Sequence, residues 1–456
     1  MREVRTEIAA LVAAGAAFIA TATPAAAAGW SPHAADATWT YQWTDSVYQT
    51  TPTNEIVTVD AKNSSGPTFA LDWTTDNANN PDGAVSSNGT VWFQDTDAGI
   101  FNPQPGWSST PPPSQFPVLC ATISNCGNSV ASALYDVIWG SRAPVLFEPL
   151  LQGMSWDSEG GAQNDVTGSS LYMGTEMISV PAFQGPVLAA KVQTQVTQAG
   201  ALGDPYGSGV RTTWWVYGVG PVKIALAHDG GAVTTAVLQS TNQTPKAPPA
   251  DTNYFPFAST TGGTYSWTNP KYLKEPEVEK ISLDQAENGT ALLKVSSLSG
   301  PMKVAGSYEF TTRLSGVTSV ASAANAASLA SFPPLGPKSL PVAKRRHFFT
   351  PLDLMTFGFN PIMPAYPTTG ATWSSDPNGR DFSVYGVTGT SRVVGVQTVK
   401  VPAGTFRALV VASTLKQPGF PFGSGRRTSW FAPGRGLVKL VFRHGDGSVS
   451  AVELIK

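Results

Sequence analysis

Charged residues are scarce in this chain of 456 residues. They account for 13% of the sequence, and the formal net charge is −2. A nucleic-acid-binding surface needs a dense cluster of Lys and Arg, and an anionic membrane is held by a basic run. The composition therefore predicts no nucleic-acid partner and no electrostatic attachment to a membrane.

Cysteine and histidine are rarer still. The two cysteines, Cys120 and Cys126, lie close together in "LCATISNCGNS", and in an exported protein such a pair favours a disulfide that closes a small loop. A two-ligand metal site is the alternative, but no histidine or further cysteine lies nearby in the sequence to complete it. The four histidines have no zinc-like spacing; they are His33, His228, His347 and His444. We predict no metal and no cofactor.

Catalytic signatures are also missing. The chain has no G-x-S-x-G nucleophile elbow and no H-E-x-x-H zinc motif, and no spacing singles out a pair of acidic residues. Two carboxylates that meet from distant strands would escape such a search. We therefore predict no catalytic residue and favour a non-enzymatic protein, with a carbohydrate-active hydrolase as the alternative.

Long apolar runs are absent beyond the N-terminal segment. That segment carries Arg2 and Arg5, an apolar stretch over residues 8–20 and a tract of small residues that ends near Ala28. This pattern is typical of a bacterial secretory signal peptide, predicted here as residues 1–28 with cleavage near Ala28. The apolar stretch is short for a membrane span, and an N-terminal anchor is the alternative. We expect the mature protein to be secreted or in the cell envelope, with no transmembrane span.

The chain contains two copies of one sequence. Residues 207–238 and 423–454 align without a gap at an offset of 216, and 14 of the 32 positions are identical. Earlier landmarks, such as "VPA" and "TY-x-WT", recur in the same order. Such self-similarity indicates a tandem duplication. We predict copy one at 37–240, an exposed Pro-rich linker at 241–260 and copy two at 261–456.

Turn-forming residues and alternating polarity dominate both copies. The chain has 44 glycines and 37 prolines, and in "VKLVFRH" (438–444) every second residue is apolar, which is the period of a strand. Asn-Gly pairs at Asn88 and Asn288 predict tight hairpin turns. Helices are predicted only over 129–139 and 317–331. The predicted fold class is mainly β, with two similar antiparallel domains, each barrel-like or a strongly curved sheet, and a few short helices.

Two features shared by the copies resemble ligand-binding motifs at first sight. The Gly-x-Gly segments at 218–220 and 434–436 lack the strand-loop-helix setting of a phosphate loop, so they predict turns or bulges. His228 matches His444, but the turn that follows reads "DGG" in one copy and "GDG" in the other. A metal site needs ligands at fixed positions, and we therefore predict plain turns at both histidines.

Six residues are candidate ligand contacts because both copies keep them or a close equivalent. The tryptophans could be sugar platforms or core residues, and core packing is favoured, with Trp214 and Trp430 as the exceptions. The arginines could bind an anion or pair with a carboxylate inside a barrel, although a solvated strand face is favoured. The six candidates are Trp156, Trp373, Trp214, Trp430, Arg211 and Arg427.

One stretch of copy two resembles a known group of proteins. "KVPAGTFRALVV" (400–411), followed by "RRTSWFAPGRGLVKLVF" (426–442), resembles exported bacterial β-domains of unknown function, which include the TapB-like proteins. Copy one departs from the pattern, with "VPAFQG" in place of "VPAGTF". The resemblance implies an antiparallel, barrel-like β-domain in the envelope or outside the cell. It implies no catalytic residue.

These observations favour a protein that binds an envelope or extracellular ligand, which could be a glycan, a lipid or another protein. Duplicated domains offer either two equivalent sites or one composite cleft. In the hydrolase alternative, carboxylates gather from separate strands near Trp156 or Trp373. In a third alternative, a hollow barrel carries an apolar ligand.

Overall fold

The computed structural model of the chain describes residues 29–47, 49–75, 88–108, 142–160, 166–198, 207–257, 261–326, 333–335, 347–374 and 386–456. The predicted signal peptide with Ala28, the Cys120 and Cys126 pair and the helix predicted over 129–139 lie outside these residues. All three stay predictions.

Two antiparallel sheets confirm the mainly-β prediction. The first has thirteen strands. Its strands are β1 (Thr38–Asp45), β2 (Gln49–Val59), β3 (Thr68–Thr75), β4 (Asn88–Thr96), β5 (Gly99–Ser108), β6 (Arg142–Ala143), β7 (Leu146–Phe147), β8 (Ser155–Gly160), β9 (Val166–Ile178), β10 (Val187–Gln198), β11 (Gly209–Val216), β12 (Gly220–His228) and β13 (Val233–Thr241). Strand β5 lies beside β6, at the opposite end of the sheet, so the sheet is a nearly closed barrel.

The second sheet has eleven strands and is strongly curved. Its strands are β14 (Gly262–Thr268), β15 (Glu277–Glu287), β16 (Thr290–Ser299), β17 (Val304–Arg313), β18 (Gly316–Ala326), β19 (Thr372–Ser374), β20 (Thr388–Val401), β21 (Gly404–Lys416), β22 (Gly425–Ala432), β23 (Gly436–His444) and β24 (Val449–Leu454). One short helix, α1 (Pro351–Thr356), and a 3-10 turn (Pro421–Gly423) accompany it.

The two sheets have the same strand order. The first runs from β8 to β13 and then from β1 to β5, and the second runs from β19 to β24 and then from β14 to β18. The register agrees in detail, because Trp214 lies opposite Lys223 and Trp430 opposite Lys439, each just before a β-bulge. In both domains the first strand pairs with the last, so chain entry and exit lie side by side.

Large side chains fill the interior of each domain. In β23, alternate residues are buried, as the pattern of "VKLVFRH" predicts. Burial of each large apolar side chain contributes about 1.5–3 kcal/mol, so these rings are the main source of stability. The fully buried rings include Trp39, Tyr41, Phe69 and Phe93 in the first domain, and Trp267, Tyr308, Phe310 and Phe359 in the second. All six residues of α1 are buried inside the second domain.

The helix predicted over 317–331 is wrong. Residues 316–326 form β18, which pairs with β17 along its length. Ladder hydrogen bonds to a neighbouring strand outweigh the helix propensity of alanine, which is high but amounts to less than about 1 kcal/mol per residue. The actual helix, α1, begins with a capping box, since the Thr350 hydroxyl accepts from Asp353 N at 3.1 Å and the Asp353 carboxylate accepts from Thr350 N at 3.2 Å.

One of the two predicted Asn-Gly turns is confirmed. Asn288 and Gly289 join β15 to β16 with φ angles of 48° and 69°, the geometry of a two-residue hairpin turn. Asn88 is the first residue of β4 and pairs with Thr74, so the turn predicted there is wrong. The Gly-x-Gly segments are turns, as predicted, with positive φ at all four glycines.

Gly289 provides a test of how the domains meet. A side-chain carbon at Gly289 would lie 2.7 Å from the Phe147 ring of the other domain, and at φ 69° it would also be strained. We expect Gly289→Ala to lower the free energy of unfolding by about 3 kcal/mol, measured by urea denaturation. Gly66 has a similar φ of 59° with nothing within 4 Å, so Gly66→Ala is the control and should cost about 1 kcal/mol. Equal losses would show that Gly289 does not touch the first domain.

Candidate functional site

Residues 251–257 of the segment between the two domains are half-buried or buried, which corrects the prediction of an exposed linker there, whereas residues 242–250 are exposed or half-buried. Phe255 is only 6% exposed, and its ring lies 5.2 Å from that of Phe310 in the second domain. The backbone of the same segment bonds to both domains, because Gln152 N donates to Asp251 O at 2.8 Å and Gly434 N donates to Asn253 O at 2.9 Å. Phenylalanine side chains explain the difference, since they gain more from burial than the flanking prolines do.

The domains also touch directly. Asp157 N donates to Asn288 Oδ1 at 3.0 Å, which joins β8 to the β15–β16 turn. The Asp97 carboxylate accepts from Ser315 N at 2.8 Å and from Ser315 Oγ at 2.9 Å. Leu150 N donates to the Tyr366 hydroxyl at 2.8 Å. The Asp157 bond, together with the bonds of the connecting segment, holds three elements against each other: the β8 region, the connecting segment and the β15–β16 hairpin.

A groove of about 290 Å³ opens where these three elements meet. We call it the junction groove. Its lining comes from both domains and from the connecting segment: Gln152 to Asp157, Asn253, Phe255 to Phe257, Ala286 to Thr290, Thr312, Pro433 and Gly434. A second, more open depression of about 460 Å³ shares Glu287, Asn288 and Thr290 and extends to Leu292 and Glu309. The two together form an elongated surface rather than a compact cavity.

The lining combines aromatic rings with carboxylates and amides. Phe257 is half-buried and stacks edge-on against Phe255, with ring centres 5.8 Å apart, so part of its ring faces the groove. Asp157 and Glu287 are exposed in the groove, and Asn253 and Asn288 add amide groups. No Lys, Arg or His is among the described residues that line it. Such a surface suits neutral or cationic ligands and disfavours anions.

Of the six predicted contacts, only Trp156 lines the junction groove. It is 2% exposed and stacks on Phe147, with ring centres 6.3 Å apart, so it forms a wall of the groove and offers no open face. Its counterpart Trp373 is half-buried and donates from Nε1 to Pro361 O at 2.9 Å. Both therefore pack into the protein, which is the interpretation that the sequence favoured.

The side chains of Trp214 and Trp430 lie on the outer faces of their strands and are half-buried. This agrees with the prediction that these two are the exceptions to core packing. In the first domain, Lys191 and Lys223 lie over the Trp214 ring, with Nζ atoms 5.5 and 5.0 Å from its centre. The indole N–H also donates to the Glu176 carboxylate. This tryptophan is engaged by its own neighbours, so it is a poor stacking platform for a ligand.

The arginines are buried, so the preference for solvated strand faces is wrong. Arg211 and Arg427 are each 3% exposed on the inward face of their strands. Arg427 Nη1 donates to Leu354 O and Phe357 O, both at 2.7 Å, where α1 ends. Burial lowers the pKa of this guanidinium to about 9, and it remains charged at neutral pH. Arg427 therefore caps the helix and leaves no charge for a ligand.

The shared histidines hold hairpin ends. His228 Nε2 contacts the Thr234 hydroxyl at 2.7 Å, and that hydroxyl donates to Asp45 Oδ2 at 2.8 Å. In the second domain His444 Nδ1 donates to Phe422 O at 2.6 Å, and its Nε2 contacts Ser450 Oγ at 2.9 Å. Burial lowers the pKa of His444 to about 4, so this ring is neutral at physiological pH. These networks join the histidines to their own hairpins, and turns follow both residues, as the prediction of plain turns requires.

Buried carboxyls are a feature that sequence reasoning missed. Burial, together with the charges of Glu277 and Asp353, raises the pKa of Glu279 to about 9. Burial also raises the pKa of Glu148 well above its usual value, and Asp95 adds to the shift. Glu279 lies in β15, where a carboxylate among alternating strand residues looks like any outward-facing side chain, so no sequence pattern marked it. Neither Glu279 nor Glu148 lines the junction groove.

The described residues contain no cluster of three or more His, Cys, Asp or Glu side chains able to hold a metal ion. Within the same residues, no helix has the length and apolar character needed to cross a bilayer.

Comparisons with known proteins identify no family for this chain. No model of a known family matches it, and no curated protein matches it. Two solved structures are similar over 47% of the chain. One is a Bacteroides fragilis protein described as exported and as having a YmcC-like fold, with 11% identity, a TM-score of 0.25 and 99% of its own length covered. The other, from Parabacteroides distasonis, is described as a lipoprotein, with 14% identity, a TM-score of 0.27 and 98% covered. Likenesses this distant carry no conclusion about function.

Proposed function

We propose that this chain is an exported bacterial binding protein, built by duplication of one β-domain, that holds a neutral oligosaccharide in the junction groove. The observation that carries the proposal is the composition of that groove, in which aromatic rings, carboxylates and amides meet without a basic side chain among the described lining residues. It binds its ligand without chemical change. Its place is the cell envelope or the extracellular space.

Export and duplication are supported by different observations. The signal-peptide pattern that ends near Ala28 supports export. The 14 identities over 32 aligned positions and the matching strand orders of the two sheets support duplication. The resemblance of 400–442 to the TapB-like group is consistent with both. A duplicated unit also explains why the groove is composite, since each copy contributes a different surface to it.

An oligosaccharide suits the groove for three reasons. Sugar rings present apolar C–H faces to aromatic side chains, and Phe257 is half-buried at the groove. Hydroxyl groups donate to carboxylates and bond to amides in both directions, which Asp157, Glu287 and Asn288 can provide. The neighbouring depression over Leu292 lengthens the surface, as a chain of several sugar units requires.

A glycoside hydrolase is the second candidate, because Asp157 and Glu287 both line the groove. Hydrolysis needs one carboxyl that keeps its proton, which enzymes achieve by burial. The carboxyls whose pKa is raised, Glu148, Glu279 and Asp95, do not line the groove. We therefore favour binding over turnover.

An apolar-ligand carrier is disfavoured by the packing of the interiors. A carrier barrel needs an empty lumen, whereas these interiors are filled by buried aromatic rings and, in the second domain, by α1.

Titration calorimetry with cello-, manno- and chito-hexaose tests the proposal. We expect at least one neutral hexaose to bind, and we expect Phe257→Ala to weaken that binding about tenfold because the stacking surface is lost. Phe406 is also half-buried against the core of the second domain but lies away from the groove, so Phe406→Ala is the control and should bind normally.

Three other results would contradict the proposal. Binding of anionic alginate with equal affinity would show that charge does not select the ligand. Equal weakening by Phe257→Ala and Phe406→Ala would place the site elsewhere. Release of shorter sugars, abolished by Asp157→Asn or Glu287→Gln, would establish the hydrolase.

A further inference from the structure

Tyr172 lies in β9, directly behind one wall of the junction groove. It is 2% exposed, and its backbone N donates to Met154 O at 2.9 Å, within the 152–157 segment that lines the groove. Its hydroxyl donates to Asp251 Oδ2 at 2.7 Å. Burial and this hydrogen bond raise the pKa of Tyr172, so the hydroxyl keeps its proton and is the donor. A core residue of the first domain therefore holds a side chain of the connecting segment.

Asp251 is anchored to the first domain twice. Besides the bond from Tyr172, its backbone carbonyl accepts a hydrogen bond from Gln152 N at 2.8 Å. Two residues that line the groove, Asn253 and Phe257, follow Asp251 closely along the chain. The position of Asp251 therefore constrains where the amide of Asn253 and the ring of Phe257 can lie.

The shared fold does not require this hydroxyl, as the other copy shows. Val393 occupies the equivalent position in β20 and is 0% exposed. Its N donates to Ala371 O at 2.9 Å, which matches the backbone bond of Tyr172 in the first domain. In both copies a glycine with positive φ follows two positions later, at Gly174 and Gly395. An apolar side chain is therefore enough for the core here, and the hydroxyl of Tyr172 serves the connecting segment.

We propose that Tyr172 is a positioning residue for the junction groove, and that its hydrogen bond to Asp251 fixes the connecting segment in the arrangement that binds the ligand. This rests on the proposed function. Tyr172 does not line the groove, so it acts through Asn253 and Phe257, which do. A segment that is fixed before the ligand arrives loses less conformational entropy on binding, and the affinity is higher for that reason.

Calorimetry with cello-, manno- and chito-hexaose tests the positioning role. Tyr172→Phe keeps the buried ring and removes only the hydroxyl, and we expect it to weaken hexaose binding about tenfold. Asp251→Ala should weaken binding equally, and the double variant should weaken it no further, because each change removes the same bond. Asp251→Asn keeps an acceptor oxygen for the hydroxyl and should bind within about threefold of the unchanged protein.

Tyr41→Phe is the matched control. The Tyr41 hydroxyl is buried in the same domain, donates a hydrogen bond of the same length, 2.7 Å, to Pro221 O, and does not line the groove. Its loss should lower the stability of the first domain about as much as Tyr172→Phe does, and leave hexaose affinity unchanged. Equal weakening of binding by the two variants, or additive losses from Tyr172→Phe and Asp251→Ala, overturns the proposal.

Hydrogen exchange of the ligand-free protein gives a readout that needs no sugar. We expect the amides of 252–257 to exchange about tenfold faster in Tyr172→Phe than in Tyr41→Phe, because only the first change releases the segment. Equal rates in the two variants would show that the segment is held without this bond, and would overturn the positioning role. If no hexaose binds, the proposed function fails, and the exchange rates still decide whether Tyr172 fixes the segment.

Discussion

Glu279→Gln stabilises the second domain at neutral pH by about 3 kcal/mol. Glu277 and Asp353 already accept hydrogen bonds, from Ser297 Oγ and Met302 N in one case and from Phe349 N and Thr350 N in the other. Within the described residues, both oxygens of Glu279 lack a partner. Its pKa of about 9 in the folded state lies far above the usual 4.5, so Glu279 keeps its proton at neutral pH.

The pH dependence follows from the sign of this shift. Below pH 4.5 the carboxyl is protonated in both states, and the full stability is present. As the pH rises towards 9, the unfolded chain ionises and the folded one does not, so stability falls by up to about 1.4 kcal/mol per pH unit. Urea unfolding at pH 5 and pH 8 measures the loss, and we expect Glu279→Gln to remove the part that comes from Glu279, while Glu148, whose pKa is also raised, contributes separately. Glu275 is exposed, so Glu275→Gln is the control. A stabilisation that is equal at both pH values would mean that Glu279 is ionised or paired.

Arg427→Met destabilises the second domain by about 3 kcal/mol. Methionine matches much of the length of arginine but cannot donate to Leu354 O and Phe357 O, which then remain buried and unpaired. The cation also lies 5.5 Å from the centre of the Phe359 ring, and this contact would be lost. Chemical denaturation followed by circular dichroism measures the change.

The neighbouring arginine is the matched control for this experiment. Arg426 is exposed on the opposite face of β22, and Arg426→Met should change the free energy of unfolding by less than about 0.5 kcal/mol. If the two substitutions cost the same, the bonds from Arg427 to the end of α1 do not contribute to stability.

The periodicity of the sequence predicted the strands well but the burial of the arginines badly, and both outcomes have one physical reason. Alternating polarity shows which residues share one face of a strand, as in 438–444. It identifies the buried face only where the side chains on that face are apolar. Arg211 and Arg427 lie on that face among apolar and small residues, and their charge favoured the opposite interpretation. The comparison of the two copies marks a residue as shared whether it is buried or exposed. It therefore could not show that these arginines are buried.

Helix prediction failed where tertiary pairing decided the outcome. Residues 317–326 are rich in alanine, yet they pair with β17 through ladder hydrogen bonds that a helix could not form. For α1, the Thr350 to Asp353 capping box with Pro351 at the first position was visible in the sequence and would have located the helix.

The junction groove could not be predicted from the sequence. Most of its lining comes from three separated segments, 152–157, 253–257 and 286–290, and Thr312, Pro433 and Gly434 complete it. The proline-rich composition of 241–260 predicted exposure and concealed the role of Phe255. Only Trp156 was marked beforehand, because both copies place a tryptophan after a glycine at this point.

Hydrogen exchange with and without a saturating neutral hexaose is the most direct test of the central claim, that one ligand is held between the two domains. The claim predicts that amides in 152–157 and 286–290 slow together, with 253–257 protected to a similar extent. Protection confined to the strands around Trp214 or Trp430, or to one of the three segments alone, would contradict it.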